Sequence, residues 1–247
     1  MQQKVALAIK PKMTDFASRS GNGATGDTSA PGRKPRVLIT GACRGLGHAC
    51  ARAFAARGIG LILADNDTAQ LGDLAQKLGA VGRYCDVASE ASVTIFAAEI
   101  MASHEELDMV INAAGGGYER TLGMYRISRA LMPALRNRKF ANVLLNIPPS
   151  ACDPGDAIFP YASSQQAFQR LCAALAAEAR GSSIRVMIGS SQGKRLFEVL
   201  PDSNARYWSD AGFTSHHEDK DNHALAADIA KLIDWTGGQG TGIRRAG

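Results

Sequence analysis

No apolar run in this chain of 247 residues approaches transmembrane length, and Val5–Ile9, the one apolar stretch near the start, is shorter than a signal peptide's hydrophobic region. Secretion and membrane insertion are disfavoured on that ground. Cysteine is sparse and unpaired in pattern: Cys43, Cys50, Cys85, Cys152 and Cys172 are five, widely spaced, with no Cys-x-x-Cys pair. A zinc ribbon and a redox dithiol are thereby excluded, and the residues read as reduced thiols of a cytoplasmic protein. Positive charge is missing where a nucleic-acid binder would need it. Residues 1–36 hold seven basic side chains against Asp15 and Asp27, which accounts for the whole formal charge of +5; the remaining 21 basic and 21 acidic residues cancel. The body of the chain therefore has no excess to attract phosphate backbones, and neither a nucleic-acid nor a membrane partner is expected. An internal repeat is also lacking.

What is present begins with a Gly-, Ser-, Pro- and Thr-rich segment without apolar periodicity, so residues 1–35 read as a disordered basic leader. Its acid-poor composition leaves an organellar transit peptide open, although arginines are few, and Met13 offers a second start. From Arg36 onward apolar runs alternate with helical patterns: 37–39, 61–63, 84–85, 109–111, 143–145 and 186–188, with helices expected near 46–57, 68–78, 89–104, 123–138, 161–180 and 224–235. Continuous rather than alternating apolarity suits strands buried on both faces of a parallel sheet. Residues 36–247 are thus expected to form a single α/β domain, a three-layer αβα doubly wound parallel sheet of Rossmann type, with 190–222 as a polar lid or substrate loop.

The segment Thr40-Gly41-Ala42-Cys43-Arg44-Gly45-Leu46-Gly47 follows the first apolar run and opens a helix. Glycines there let backbone amides approach a pyrophosphate, and a helix N-terminus adds favourable partial charge. Asp65 ends the second run 18 residues beyond Gly47, where a carboxylate accepts hydrogen bonds from adenosine ribose hydroxyls. Asp65, reinforced by Asp67, would repel a ribose 2′-phosphate, so NAD is favoured over NADP; Arg44 pulls weakly the other way. Cys43 sits where a helix N-terminus would lower a thiol's pKa, although it reads chiefly as a loop filler.

Together with Cys85-Asp86-Val87 after the third run and Asn112-Ala113-Ala114-Gly115 after the fourth, this pattern resembles the short-chain dehydrogenase/reductase family over residues 36–190. The resemblance implies an NAD(P)-dependent oxidoreductase, with Asp86 and Val87 by the adenine and Asn112, Ala113, Ala114 and Gly115 lining the cofactor cleft. It also implies Tyr and Lys in Tyr-x-x-x-Lys, a preceding Ser and an Asn on an earlier helix. Here Tyr161-Ala162-Ser163-Ser164-Gln165 keeps the tyrosine and puts glutamine in the lysine place; Pro149 stands at the serine position, with Ser150 eleven residues before Tyr161, and Arg120 stands at the asparagine position. Ser150 would substitute only if its loop shifts. The absent lysine has a calculable consequence. A tyrosine hydroxyl must fall about three units from ~10 to act as a base at neutral pH, worth roughly 4 kcal/mol, and an ammonium about 5 Å away supplies on the order of 3 kcal/mol at an effective dielectric near 20. Gln165 offers a dipole, with hydrogen bonds for nicotinamide ribose hydroxyls. Two readings stay open: a slow or specialised carbonyl reductase with Tyr161 as proton donor, and a catalytically inactive pseudoenzyme that binds the dinucleotide or a protein partner.

His216, His217, Glu218, Asp219 and His223 match no zinc spacing and read as a solvated surface, so no metal is expected. The stripe Phe168, Leu171, Cys172 and Leu175 suits either a core face or a homo-oligomer contact.

Overall fold

Arg36–Thr40, the first of the continuous apolar runs, forms strand β1, whose Val37, Leu38 and Ile39 are fully buried with side chains on alternating faces. A computed structural model describes residues 34–103, 106–114, 117–136, 142–147, 161–190, 195–199 and 219–231. Along them β1 is followed by α1 (Gly45–Ala56), β2 (Gly60–Asp65), α2 (Thr68–Leu78), β3 (Val81–Tyr84), α3 (Glu90–Ala102), β4 (Met109–Asn112), α4 (Gly117–Arg136), β5 (Asn142–Asn146), α5 (Tyr161–Glu178), β6 (Ile184–Ser190), β7 (Arg195–Glu198) and α6 (Asp219–Lys231).

The strands make one sheet in the order β3-β2-β1-β4-β5-β6-β7, with every neighbouring pair parallel except β6 and β7. Its two faces are covered by different helices, which explains why β1, β2 and β4 are apolar along their length, whereas β3, at the edge, is largely exposed. On one face Val37, Ile39, Leu61, Leu63 and Ile111 pack with Phe54 of α1, Leu71 of α2 and Ile229 of α6. Leu38, Ile62, Val110 and Leu144 face the other way, onto Phe96 of α3, Ile127 of α4 and Phe168 of α5. This is the doubly wound Rossmann sheet expected from the pattern. Strand order reverses between β1 and β4, and doubly wound folds bind ligands beyond the C-terminal ends of the strands at such a point.

Several boundaries differ from the sequence reading. Helix α4 begins at Gly117 rather than near 123, because Gly117, Glu119 and Arg120 carry no apolar periodicity that would announce it. Its Gly123 is needed for packing: a Cβ there would fall on the Val87 carbonyl, so α4 crosses directly against the turn after β3. Inside the stretch read as a polar excursion, residues 195–198 pair antiparallel with β6 as an edge strand, and α6 starts at Asp219 rather than 224. No helix among the described residues is long and apolar enough to cross a membrane.

Candidate functional site

Three loops meet at this switch point. Gly41 follows β1 with φ +65, and a Cβ on it would lie 2.6 Å from the Ala114 backbone nitrogen, so the loop after β1 and the loop after β4 touch at the point of reversal. A Cβ on Gly47 would fall on the Gly41 carbonyl, which packs the first turn of α1 against the loop it leaves. Glycine is required at both places by space, and at Gly41 also by the left-handed backbone. Helix α1 starts from Arg44 with no side-chain cap and no acid in its first turn, unlike α2, capped by Asp67, and α3, capped by Ser89. Its opening amides are therefore available to an anion.

The second loop brings a carboxylate to the first. Asp65 Oδ2 accepts the Cys43 N–H at 2.9 Å and Oδ1 accepts the Asp67 N–H at 3.2 Å. Asp67 in turn accepts the Gln70 N–H on Oδ1 at 3.1 Å and pairs through Oδ2 with Arg44 Nη2 at 3.1 Å. Glycine loop, β2 terminus and α2 start thus form one charged, hydrogen-bonded unit. Burial, the carboxylate of Asp65 and then that of Asp67 push the Cys43 thiol up to about 12, with only the Arg44 guanidinium opposing. Desolvation and two acids outweigh the helix end, in keeping with the reading of Cys43 as chiefly a loop filler.

Asp86 accepts the Ala88 N–H at 3.1 Å while its own N–H donates to Ser92 Oγ at 2.9 Å, so it also shapes the turn before α3; Val87 beside it is buried. Leu46 packs on the apolar face beneath the loop, as does Ala113 after β4. Asn112 is buried at the end of β4, in register with Asn146 at the end of β5. Its Nδ2 donates to Ser128 Oγ of α4 and to Asn146 Oδ1, each at 2.8 Å, and Ser128 Oγ donates to the same Asn146 oxygen at 3.3 Å. Asn146 Nδ2 has no well-formed hydrogen bond and faces the buried thiol of Cys172 on α5, a weak acceptor. Sequence reasoning missed Ser128 and Asn146. The signal was there: each is a lone polar residue within an otherwise apolar pattern that ends up 0 % exposed.

The catalytic positions are less completely placed. Tyr161 is the first residue of α5 and Gln165 lies one turn on, while the described side chains of that helix begin at Ala167. Arg120 lies in the first turn of α4, whose described side chains begin at Thr121. Gly115, Pro149, Ser150, Cys152 and the His216–Glu218 group lie outside the described residues, as does the leader through Arg33. No group of three metal-ligating side chains occurs among the described residues.

With the geometry in place, comparison with known proteins is informative. The short chain dehydrogenase family model matches residues 35–122, the segment that supplies β1 to β4 and the loops just described. Over this segment the chain is similar to the short-chain dehydrogenase/reductase family. It is 31% identical over 175 residues to oxidoreductase UcpA of Salmonella typhimurium, covering 61% of this chain and 65% of that protein. To the dehydrogenase/reductase SDR family member 7B of Danio rerio it is 28% identical over 184 residues, covering 62% and 58%. The match therefore spans less than two thirds of these relatives' own length. Among solved structures, a metagenomic short-chain oxidoreductase in complex with NADP superposes with a TM-score of 0.61 at 22% identity, over 81% of this chain and 90% of that one. An alcohol dehydrogenase from Thermococcus sibiricus, complexed with 5-hydroxy-NADP, gives 0.58 at 21%, over 82% and 87%.

Proposed function

We propose that the protein binds NAD(H) beyond the ends of β1, β2 and β4 and reduces a carbonyl slowly, with Tyr161 as the proton donor. The observation that carries the reading is the hydrogen bond from the Cys43 amide to Asp65, which sets a carboxylate against the glycine loop. Gly41, Gly45, Leu46 and Gly47 hold a diphosphate through backbone amides at the uncapped start of α1. Asp65 accepts from ribose hydroxyls and, with Asp67, disfavours a 2′-phosphate; the NADP carried by solved relatives argues the other way, which makes the NADH to NADPH ratio worth measuring. Asp86, Val87, Asn112, Ala113, Ala114 and Gly115 border the cleft. When bound, the nicotinamide supplies the hydride.

Tyr161 then gives its phenolic proton to the carbonyl oxygen, a task that suits a neutral tyrosine and so survives the loss of the lysine charge. Alcohol oxidation, which needs the tyrosinate, is the direction that Gln165 impairs most. Four described cysteines are free thiols, in keeping with a reducing cytoplasmic setting. A second reading, a dinucleotide-binding pseudoenzyme, is favoured by the same Gln165 together with Pro149 and Arg120.

Calorimetric titration with NADH and NADPH tests the binding half; no binding of either at millimolar levels would sink it. Two variants test the chemistry on a panel of carbonyl and alcohol substrates. Tyr161→Phe should abolish turnover, and Gln165→Lys should raise oxidation by about 100-fold, the equivalent of roughly 3 kcal/mol. Turnover indifferent to Tyr161→Phe removes it from the mechanism. Robust wild-type alcohol oxidation refutes the pseudoenzyme.

A further inference from the structure

Asn112, Asn146, Ile188 and Phe197 stand in one row across β4, β5, β6 and β7, near the C-terminal ends of the parallel strands. Ser128 of α4 is bonded to that row through Asn112, and Cys172 of α5 faces it through Asn146. Both helices descend from this end of the sheet. Gly123 of α4 packs on the turn after β3, and residues 179–183 alone join α5 to the start of β6. Arg120 lies eight residues before Ser128, which puts it about 12 Å further up α4. Tyr161 and Gln165 lie eleven and seven residues before Cys172, about 16 and 10 Å up α5. Arg195 pairs with Ser190, two residues past Ile188 and so about 7 Å beyond the row. Helix tilt shortens these heights, but all four positions stand beyond the strand ends, where the proposal above places the reacting carbonyl. Helix α5 packs against both α4 and β6, and β7 follows β6 at the sheet edge, so Arg120 and Arg195 flank the start of α5.

We propose that the carbonyl substrate carries an anionic group, a carboxylate or a phosphate, and that Arg120 and Arg195 select for it. The inference rests on the reductase reading given above and adds the substrate class. From Tyr161 to Gln169 α5 has no charged residue, so it supplies neither attraction nor repulsion of its own to such a group. Arg120 is set in the first turn of α4, where the helix macrodipole favours an acid, as in the neighbouring Glu119, and disfavours a cation. An arginine held at that local cost, with a second on the far side of Tyr161, is accounted for by an anion bound between them. Arginine suits both anions, because its planar donors pair with two oxygens at once.

The test uses compounds that differ in the anion alone: 4-formylbenzoate with its methyl ester, and glyceraldehyde 3-phosphate with glyceraldehyde. Each is reduced with NADH by wild type, Arg120→Gln, Arg195→Gln and the double variant. A unit charge beside an anion, screened by solvent, is worth about a factor of ten. Wild type should therefore prefer the anionic member of at least one pair by about a hundredfold in kcat/KM, and which pair shows it distinguishes carboxylate from phosphate. Each glutamine variant should lower that preference about tenfold and the double variant should abolish it, while kcat/KM for the neutral member and the Kd for NADH stay within about threefold. Binding of 4-(hydroxymethyl)benzoate and its methyl ester to the NADH complex reads the same preference without turnover. Equal kcat/KM for both members of both pairs, or variants that lower both members alike, overturns the assignment and leaves the reductase reading standing. Tighter binding of the benzoate with no reduction of any compound defeats the reductase reading and upholds anion selection. Neither reduction nor binding defeats both.

Discussion

Asp65→Asn tests whether the acid at the end of β2 builds the loop before any ligand arrives. Both carboxylate oxygens are engaged by backbone donors, Cys43 N–H at 2.9 Å and Asp67 N–H at 3.2 Å. A carboxamide has one oxygen, so one of those amides must meet an NH2 group, donor against donor. Hydrogen bonds to a charged acceptor contribute about 1.5–3 kcal/mol and neutral ones about 1 kcal/mol, so one bond lost and one weakened amount to about 2–4 kcal/mol. The site is half-buried, and water compensates part of the released N–H, which brings the expected loss to about 1–3 kcal/mol. For a domain of this size that is a fall in Tm of roughly 3–10 °C. Urea and thermal unfolding without dinucleotide read the stability, with Asp65→Ala, which offers no acceptor, as the lower bound; NADH titration of the same variants reads the ligand. The outcome that refutes the reasoning is a ligand-free Asp65→Asn within about 0.5 kcal/mol of wild type. The loop bonds would then hold nothing.

Two further outcomes follow from buried groups. Asn112→Leu removes both donors to Ser128 and Asn146 from a site where all three residues are 3% exposed or less, and should cost about 2–4 kcal/mol in urea unfolding, against about 1–1.5 kcal/mol for Ser128→Ala, which leaves the Asn112–Asn146 bond in place; equal losses would mean that the carboxamide is not the hub. Burial raises the Cys50 and Cys85 thiols from 9.0 to about 12. Because the folded values are the raised ones, stability is intact below pH 9 and erodes as pH climbs toward 12, by about 1.4 kcal/mol per unit for each thiol. Denaturation at pH 8, 9 and 10 checks this, and a flat profile to pH 10.5 contradicts it.

The fold was legible because a sheet buried on both faces leaves continuous apolar runs; Val37-Leu38-Ile39 and Met109-Val110-Ile111 carry the signal unaided. Strand β7 left no such trace. Four residues at an antiparallel edge, inside a polar stretch, need few apolar side chains, and only Leu196 and Phe197 hint at it. The glycine loop and Asp65 could be read as a spacing, but not the hydrogen bond that joins them, since a backbone donor has no residue type. The direction of the Cys43 shift was hidden for the same reason: the helix end was visible in sequence, whereas the two carboxylates beside the thiol were not. Ser128 and Asn146 escaped because a single polar residue in an apolar pattern gains meaning only when its partners are known.

The buried polar cluster also ties together the elements that carry the proposed catalytic positions. Asn146 ends β5, from which the Pro149 and Ser150 segment departs. Ser128 lies on α4, the helix that carries Arg120, and Cys172 lies on α5, the helix that Tyr161 opens and Gln165 follows. All three elements thus meet at Asn112 or Asn146, at the C-terminal ends of the neighbouring strands β4 and β5. Gln165, one turn into α5, stands apart from Cys172, the residue of that helix that faces Asn146. A backbone held in this way is what lets a single restored ammonium matter; had β5 and α5 lost their tie to β4, Gln165→Lys would place a charge with nothing aligned to use it.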